Sequence, residues 1–287
     1  MNLYDQLRTL QVMDNAFTEW TDYRKDLTDY ILTHTLSNQS LAIWGAGRCN
    51  DLDLERLSSH FQSITLLDQD ENAMQAAIYR YNLGDSKNIH TRVIDFVGIT
   101  DEDYRQYAAY LVDEVRKKGI HIKYNCLVEV VLEVLEHLYQ KIIYHAIPIE
   151  KNSFDYAIVI GVHSQLISML EWIWSIILQT IQQEEYEVRH AIGMMNDGVV
   201  EKFNQTVLNT TKKNVIMGYE LGRLDRAGVV QGAHQAMEDI KKRACKEEIE
   251  ITNTVILEWP FNLKEGIAYK VKLQKIYPFC YTKSRNP

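Results

Sequence analysis

The chain has 287 residues, is 46% hydrophobic and carries a formal net charge of −8. This length and composition exclude a disordered chain and predict a folded protein with a substantial core. The acidic balance argues against a broad basic surface of the kind that binds nucleic acid through its phosphates, so no nucleic-acid partner is expected.

The cysteine pattern and the apolar segments predict a cytoplasmic protein. Residues 1–15 lack the basic patch and apolar run of a signal peptide. The longest apolar stretch, residues 166–181, is interrupted by Glu171 and is too short to span a bilayer, so no membrane association is expected. No pair of cysteines has metal-site spacing, which predicts four reduced thiols and no metal: Cys49, Cys126, Cys245 and Cys280.

Residues 1–37 are predicted to be helical, because apolar residues recur there at helical spacing without Gly or Pro. A short apolar strand over residues 40–44 then runs into the turn Gly45-Ala46-Gly47. After this turn, Asn50 or Asp51 can cap a helix.

Further apolar runs predict six more strands, at residues 64–67, 89–94, 154–160, 215–219, 254–259 and 267–276. Strands that alternate with helices predict an α/β fold with a doubly wound, mostly parallel, seven-stranded sheet. Only residues 260–266 separate the last two strands, which is too short for a parallel crossover, so the C-terminal hairpin should be antiparallel.

Two helical regions are predicted to lie outside this sheet. One is an N-terminal helical cap over residues 1–37, and the other is an insertion at about 97–153 within a Rossmann-like domain spanning residues 38–287. The insertion contains a predicted helix over residues 101–118 and an apolar stripe at helical spacing over 127–138. We expect these helices to cover the substrate side of the sheet; additional layers of core are the alternative.

Polar groups follow the first three strands, at the sheet edge where doubly wound folds bind ligands. Glycines let the chain turn sharply and let a ligand approach the backbone. Asp68 lies about 20 residues beyond the glycines, where a carboxylate can accept both hydroxyls of a ribose, whereas Asp70 is expected to cap the next helix. Asp95 can accept from the amine of an adenine, with the ring of Phe96 beside the base.

These segments resemble the ordered motifs of class I S-adenosylmethionine-dependent methyltransferases. The resemblance covers residues 40–276 and rests on LAIWGAGRCNDLDL, ITLLDQDENAM, IHTRVIDF, FDYAIVIGVHSQL and the closing pair TVILEWPFN and IAYKVKLQKI. It implies that S-adenosyl-L-methionine is the cofactor. The implied contacts are Gly45, Ala46 and Gly47 with the methionine portion, Asp68 with the ribose, Asp95 and Phe96 with the adenine, and Gly161, Val162 and His163 near the methyl group. Gln69, next to Asp68, is a further implied cofactor contact.

The sequence departs from the family pattern at two places. Cys49 replaces the frequent third glycine, and Gly161-Val162-His163-Ser164 stands where some members carry an Asn/Asp-Pro-Pro-aromatic signature. The second departure removes a pointer to the substrate. Asp51 sits where many members have a carboxylate near the amino group of the cofactor, and capping a helix is an equal alternative.

Several residues have two predicted roles. His163 is the candidate general base, since an imidazole titrates in the useful pH range. The alternative is that His163 only makes a hydrogen bond within a loop. Methyl transfer can also proceed without a base, by positioning of the two reactants alone. The tyrosines can line a substrate pocket or fill core and surface: Tyr4, Tyr23, Tyr30 and Tyr219. The helix after the fourth strand, with Trp172 and Trp174, is expected to be buried, with a homodimer contact as the alternative.

The leading hypothesis is methyl transfer to a small molecule. A nicotinamide-dependent oxidoreductase is a weaker alternative, because its full glycine motif would need Gly at position 50, where Asn50 stands. A non-catalytic module that binds S-adenosylmethionine or another nucleoside is the third hypothesis.

Overall fold

The computed structural model describes residues 2–10, 13–119 and 124–278. The chain forms two compact units. The helical unit comprises Met1–Met13, Asp95–Ala146 and Gln165–Val200, and the sheet unit comprises Asp14–Ile94, Ile147–Ser164 and Glu201–Pro287. The proposed cap over residues 1–37 and insertion at 97–153 stay predictions.

Seven strands form one sheet in the order β3-β2-β1-β4-β5-β7-β6. Strand β7 pairs antiparallel with β5 and with β6, and the other six strands share one direction. The predicted doubly wound sheet with its antiparallel C-terminal hairpin is therefore confirmed. The strands are β1 (Ser40–Trp44), β2 (Ser63–Asp68), β3 (Ile89–Val93), β4 (Phe154–Ile160), β5 (Thr211–Arg223), β6 (Ile249–Asn262) and β7 (Ile267–Pro278).

The helices that connect or accompany these strands are α1 (Leu3–Leu10), α2 (Ala16–Glu19), α3 (Thr21–Thr33), α4 (Leu54–His60), α5 (Glu71–Arg80), α6 (Asp101–Lys118), α7 (Tyr124–Tyr144), α8 (Ser168–Ile181), α9 (Glu187–Thr210) and α10 (Gln231–Cys245). None of the described helices is long and apolar enough to cross a membrane.

Acidic caps fix where the two helices after β1 and β2 begin. Asp70 accepts a hydrogen bond from Ala73 N at 3.0 Å at the start of α5, which confirms its predicted capping role. At the start of α4 the capping carboxylate is Asp53, which accepts from Arg56 N at 3.2 Å. The expectation that Asn50 or Asp51 caps this helix is wrong, because the loop after β1 runs a few residues further before the helix starts.

The core of the sheet unit lies on the central strands. Leu41 of β1, Ile158 of β4 and Val215 of β5 are all at most 1% exposed. Near-continuous apolar runs of this kind are typical of parallel strands that are covered on both faces. On these three strands the polar positions lie towards the ends.

The helical unit has its own core. The ring of Tyr4 in α1 stacks on Tyr104 of α6 with centroids 5.5 Å apart. In α8, Trp174 is buried and donates to the buried carboxylate of Glu185 at 2.9 Å. The predicted burial of α8 is thus correct for Trp174 and wrong for Trp172, whose side chain is 42% exposed.

The structure describes the thiol state of two cysteines. Cys49 is buried, Cys245 is exposed, and both are free thiols. Cys280 and the side chain of Cys126 lie outside the described residues.

Candidate functional site

The glycine turn after β1 is held against the end of β2. Gly45 N and Ala46 N both donate to Leu67 O, at 2.8 and 3.1 Å. The backbone is left-handed at Gly45 (φ +68°), Gly47 (φ +47°) and Cys49 (φ +45°). Cys49, which replaces the third glycine, therefore adopts a conformation that is uncommon for residues with a side chain.

The two glycines of the turn have different neighbours. A Cβ placed on Gly45 would lie 2.4 Å from Val162 Cγ2, so a side chain there would collide with the loop after β4. Among the described residues, a Cβ on Gly47 would have a single neighbour within 4 Å, Asp68 Oδ2 at 4.0 Å. Packing therefore explains Gly45, whereas Gly47 leaves open space beside a carboxylate.

Asp68 occupies the end of β2 and is held by backbone N–H groups. Its Oδ2 accepts from Gly47 N and its Oδ1 from Asp70 N, both at 2.9 Å. Burial raises the pKa of Asp68 and the charge of Asp70 adds to this, while the backbone N–H groups oppose it. Because each carboxylate oxygen has two lone pairs, the half-buried Asp68 keeps the capacity to accept a further hydrogen bond. The adjacent Gln69 is exposed.

Asp51 lies in the same loop and is not used as a helix cap. Burial raises the pKa of Asp51 to about 6, and the Arg24 guanidinium opposes that rise. Its charge in turn helps to raise the pKa of Tyr23. The negative charge of Asp51 is therefore only partly balanced by the nearby charge of Arg24.

His163 is a fully buried side chain rather than an exposed one. Its Nε2 lies 2.8 Å from Asn204 Oδ1, and Asn204 Nδ2 donates to Asp239 Oδ2 at 2.9 Å. The ring stacks on Tyr219 with centroids 5.5 Å apart. Burial lowers the pKa of His163 to about 4. This environment favours the alternative role, a hydrogen bond within the fold, and general-base catalysis stays an untested prediction.

The end of β4 also brings Gly161 and Val162 into the sheet-unit site. Gly161 is left-handed with φ +64°. Val162 packs against Gly45 in the glycine turn. These residues connect the glycine turn to the side chains that extend from β5 and β6.

Asp95 and Phe96 belong to the helical unit. One oxygen of Asp95 accepts from Val97 N and Gly98 N, each at 2.8 Å, so this carboxylate organises its own loop. The predicted contacts of Asp95 and Phe96 with an adenine stay predictions.

Of the four candidate tyrosines, the structure singles out Tyr23. Tyr219 donates to Met217 Sδ at 3.1 Å, Tyr30 donates to Asn253 O, and Tyr4 donates to Asp101 Oδ1 at 2.6 Å. Tyr23 in α3 is 3% exposed, and its hydroxyl has no hydrogen-bond partner within the described residues.

Two residues near Tyr23 were missed by the sequence analysis, Glu220 of β5 and Trp259 of β6. Both are buried, at 5% and 8% exposure. A signal was present for Glu220, because this acid directly follows the apolar run Val215–Tyr219 in which the strand was predicted. Trp259 was predicted only as part of a strand. Its place in the site could not be predicted, because its neighbours come from distant parts of the chain.

No protein-family model and no curated protein matches the sequence. Similar solved structures include the N-methyltransferase NodS from Bradyrhizobium japonicum in complex with S-adenosyl-L-homocysteine, at 12% identity and TM-score 0.46 over 96% of this chain and 98% of that chain. A SAM-dependent methyltransferase from Aquifex aeolicus matches at 11% identity and TM-score 0.43, over 94% and 97%. The [4+2]-cyclase SpnF matches at 10% identity and TM-score 0.46, over 88% and 81%.

This likeness concerns the course of the chain alone. Among the described residues, no group of three His, Cys, Asp or Glu side chains is placed to hold a metal ion.

Proposed function

We propose that the sheet unit binds S-adenosyl-L-methionine at the ends of β1 and β2 and that the protein transfers its methyl group to an acceptor. The observation that carries the proposal is the open space at Gly47 directly beside the Asp68 carboxylate. In this proposal Gly45, Ala46 and Gly47 flank the methionine portion, with Asp51 near its amino group. Asp68 and Gln69 hold the ribose.

The residues present fit this cofactor. A ribose hydroxyl needs an acceptor, and Asp68 has both oxygens fixed in place by N–H groups with a lone pair to spare. Asp51 supplies a carboxyl for an amino group, and its burial makes a cationic partner favourable. When bound, the cofactor supplies an electrophilic methyl group on a sulfonium. Gly161 and Val162 are proposed to lie near that methyl group.

We propose a small molecule as the acceptor and the cytoplasm as the location, with no nucleic-acid or membrane partner. The net charge of −8 supports the part of this proposal that concerns nucleic acid, since a negatively charged protein is repelled by a polyanion. The homodimer through α8 stays a prediction.

The nicotinamide-dependent oxidoreductase fits the site less well. Its third glycine would occupy position 50, where the Asn50 side chain accepts from Arg80 and its carbonyl accepts from Arg24 Nη1 at 2.9 Å. A non-catalytic module that binds the same cofactor would share the Gly47 and Asp68 contacts and would differ only in turnover.

Calorimetric titration of the purified protein with S-adenosylhomocysteine and, separately, with NAD tests the proposal. We expect micromolar binding of S-adenosylhomocysteine, weakened at least about tenfold in Asp68→Asn because a charged acceptor for the ribose is lost. Asp85→Asn, which changes an exposed carboxylate in another loop, is the matched control and should bind as the wild type does. Folded protein that binds NAD and not S-adenosylhomocysteine would reject the proposal.

A further inference from the structure

Glu220 is a buried carboxyl beside the glycine at the end of β4. A Cβ placed on Gly161 would lie 3.5 Å from Glu220 Oε1 and 3.9 Å from the six-membered ring of Trp259. The same Oε1 accepts from Ser164 Oγ at 2.7 Å. Glu220 and Trp259 therefore border the loop that is proposed to face the transferred methyl group.

Three polar atoms around this loop have no hydrogen-bond partner within the described part of the chain. They are Glu220 Oε2, the hydroxyl of Tyr23 and Trp259 Nε1. All three side chains are more than nine-tenths buried, and the charge of Glu220 contributes to the raised pKa of Tyr23. Buried polar groups are nearly always hydrogen-bonded, and unpaired ones grouped on three different elements indicate a bound partner.

The surrounding side chains favour a positively charged partner. No lysine, arginine or histidine among the described residues pairs with Glu220, whose pKa burial raises. Aromatic rings line the same region: Trp259 lies 4.9 Å from Trp20, 5.8 Å from Tyr23 and 5.0 Å from Phe261 between ring centroids. A carboxylate combined with the faces of aromatic rings is a common way to hold an organic ammonium group.

We propose that the methyl acceptor is an amine whose nitrogen is held by Glu220 beside Trp259 and Tyr23. This rests on the proposed methyl transfer. The bound ammonium passes one proton to the Glu220 carboxylate, and the neutral nitrogen then forms a bond to the methyl carbon with its lone pair. The carbon–sulfur bond breaks with its electrons going to sulfur. The nitrogen ends as a methylated ammonium, and Glu220 later returns its proton to solvent.

Binding of small amines measured by tryptophan fluorescence, in the presence of saturating S-adenosylhomocysteine, tests the proposal without turnover. The probes are phenethylamine and butylamine, each compared with the alcohol of the same skeleton. We expect at least one amine to bind tenfold or more tightly than its alcohol. Glu220→Gln should remove this preference, and Glu258→Gln, an exposed carboxylate on the same strand as Trp259, should keep it.

Tyr23→Phe provides a second variant that removes only a hydroxyl, and it should weaken the amine severalfold. The proposal is overturned if neither amine is preferred over its alcohol, if the preference survives Glu220→Gln, or if Tyr23→Phe leaves amine binding unchanged. Calorimetry with S-adenosylhomocysteine on the same samples separates the two ideas. Intact cofactor binding without amine preference rejects only the acceptor class, whereas absent cofactor binding rejects the proposed function itself.

Discussion

The contribution of His163 to the stability of the protein should fall between pH 7.5 and pH 5. The folded protein keeps this imidazole neutral, since burial lowers its pKa from 6.5 to about 4. In the unfolded chain the same group takes up a proton near its ordinary pKa. The unfolded state thus binds more protons between these two values, and stability is lost as the pH falls through this window.

The size of the effect follows from the two pKa values. At pH 5 the unfolded imidazole is almost fully protonated while the folded one is mostly neutral, which lowers the free energy of unfolding by about 2 kcal/mol relative to pH 7.5. The hydrogen bond to Asn204 and the charge of Asp239 raise the pKa of His163 and so oppose the effect of burial. The folded-state pKa of about 4 already includes both.

Urea unfolding at pH 7.5, 6 and 5, compared between wild type and His163→Gln, measures this contribution. Glutamine can still donate to Asn204 but does not titrate, so the variant should lose about 2 kcal/mol less than the wild type over this range. His90→Gln, which changes an exposed imidazole on β3, is the control and should follow the wild type. An equal pH dependence in His163→Gln and wild type would refute the reasoning.

Three further substitutions test the local structure. Asp53→Ala removes the cap of α4 and should lower the free energy of unfolding by about 1 kcal/mol in a urea titration; no change would contradict the capping role. Gly232→Ala would put a Cβ 2.1 Å from His163 O and should cost about 2 kcal/mol by the same assay, whereas a neutral result would show that the two segments can separate. Gly47→Ala should cost only about 1 kcal/mol in stability, from its left-handed backbone, but should weaken S-adenosylhomocysteine at least tenfold in calorimetry. Unchanged affinity would mean that the ligand does not approach Gly47.

The sheet was predictable because its strands carry their own signal. Apolar runs that stop at Gly45, Asp68 and Gly161 mark the ends of three parallel strands, and the bounds of β1 and β4 match the prediction. Strand β5 was predicted only over Val215–Tyr219 but runs over Thr211–Arg223, because its polar ends are stabilised by pairing with distant segments. That pairing is not visible in a local pattern.

The long helix α9 shows a different limit. It was not predicted, because glycines and asparagine in the middle of the segment lower its helix propensity. Ile192, Met195, Val199 and Phe203 nevertheless recur at helical spacing and are buried. Packing of this apolar face outweighs the weak local propensity, as tertiary contacts commonly do.

The site was predicted where it depends on strand ends and was missed where it depends on contacts between elements. The interaction of Asp68 with the glycine turn follows from parallel topology. By contrast, the burial of His163 depends on Asn204 in α9 and Tyr219 in β5, and the grouping of Tyr23, Glu220 and Trp259 joins three distant elements. Sequence spacing alone cannot show which of several acids and tyrosines share one buried region.

The central claim is that Gly47 and Asp68 form the cofactor site, and a crystal structure of the protein with S-adenosylhomocysteine tests it most directly. We expect a ribose hydroxyl within hydrogen-bonding distance of an Asp68 oxygen and ligand atoms in the open space at Gly47. A ligand bound elsewhere, or an empty turn at a concentration that saturates binding in solution, would contradict the account.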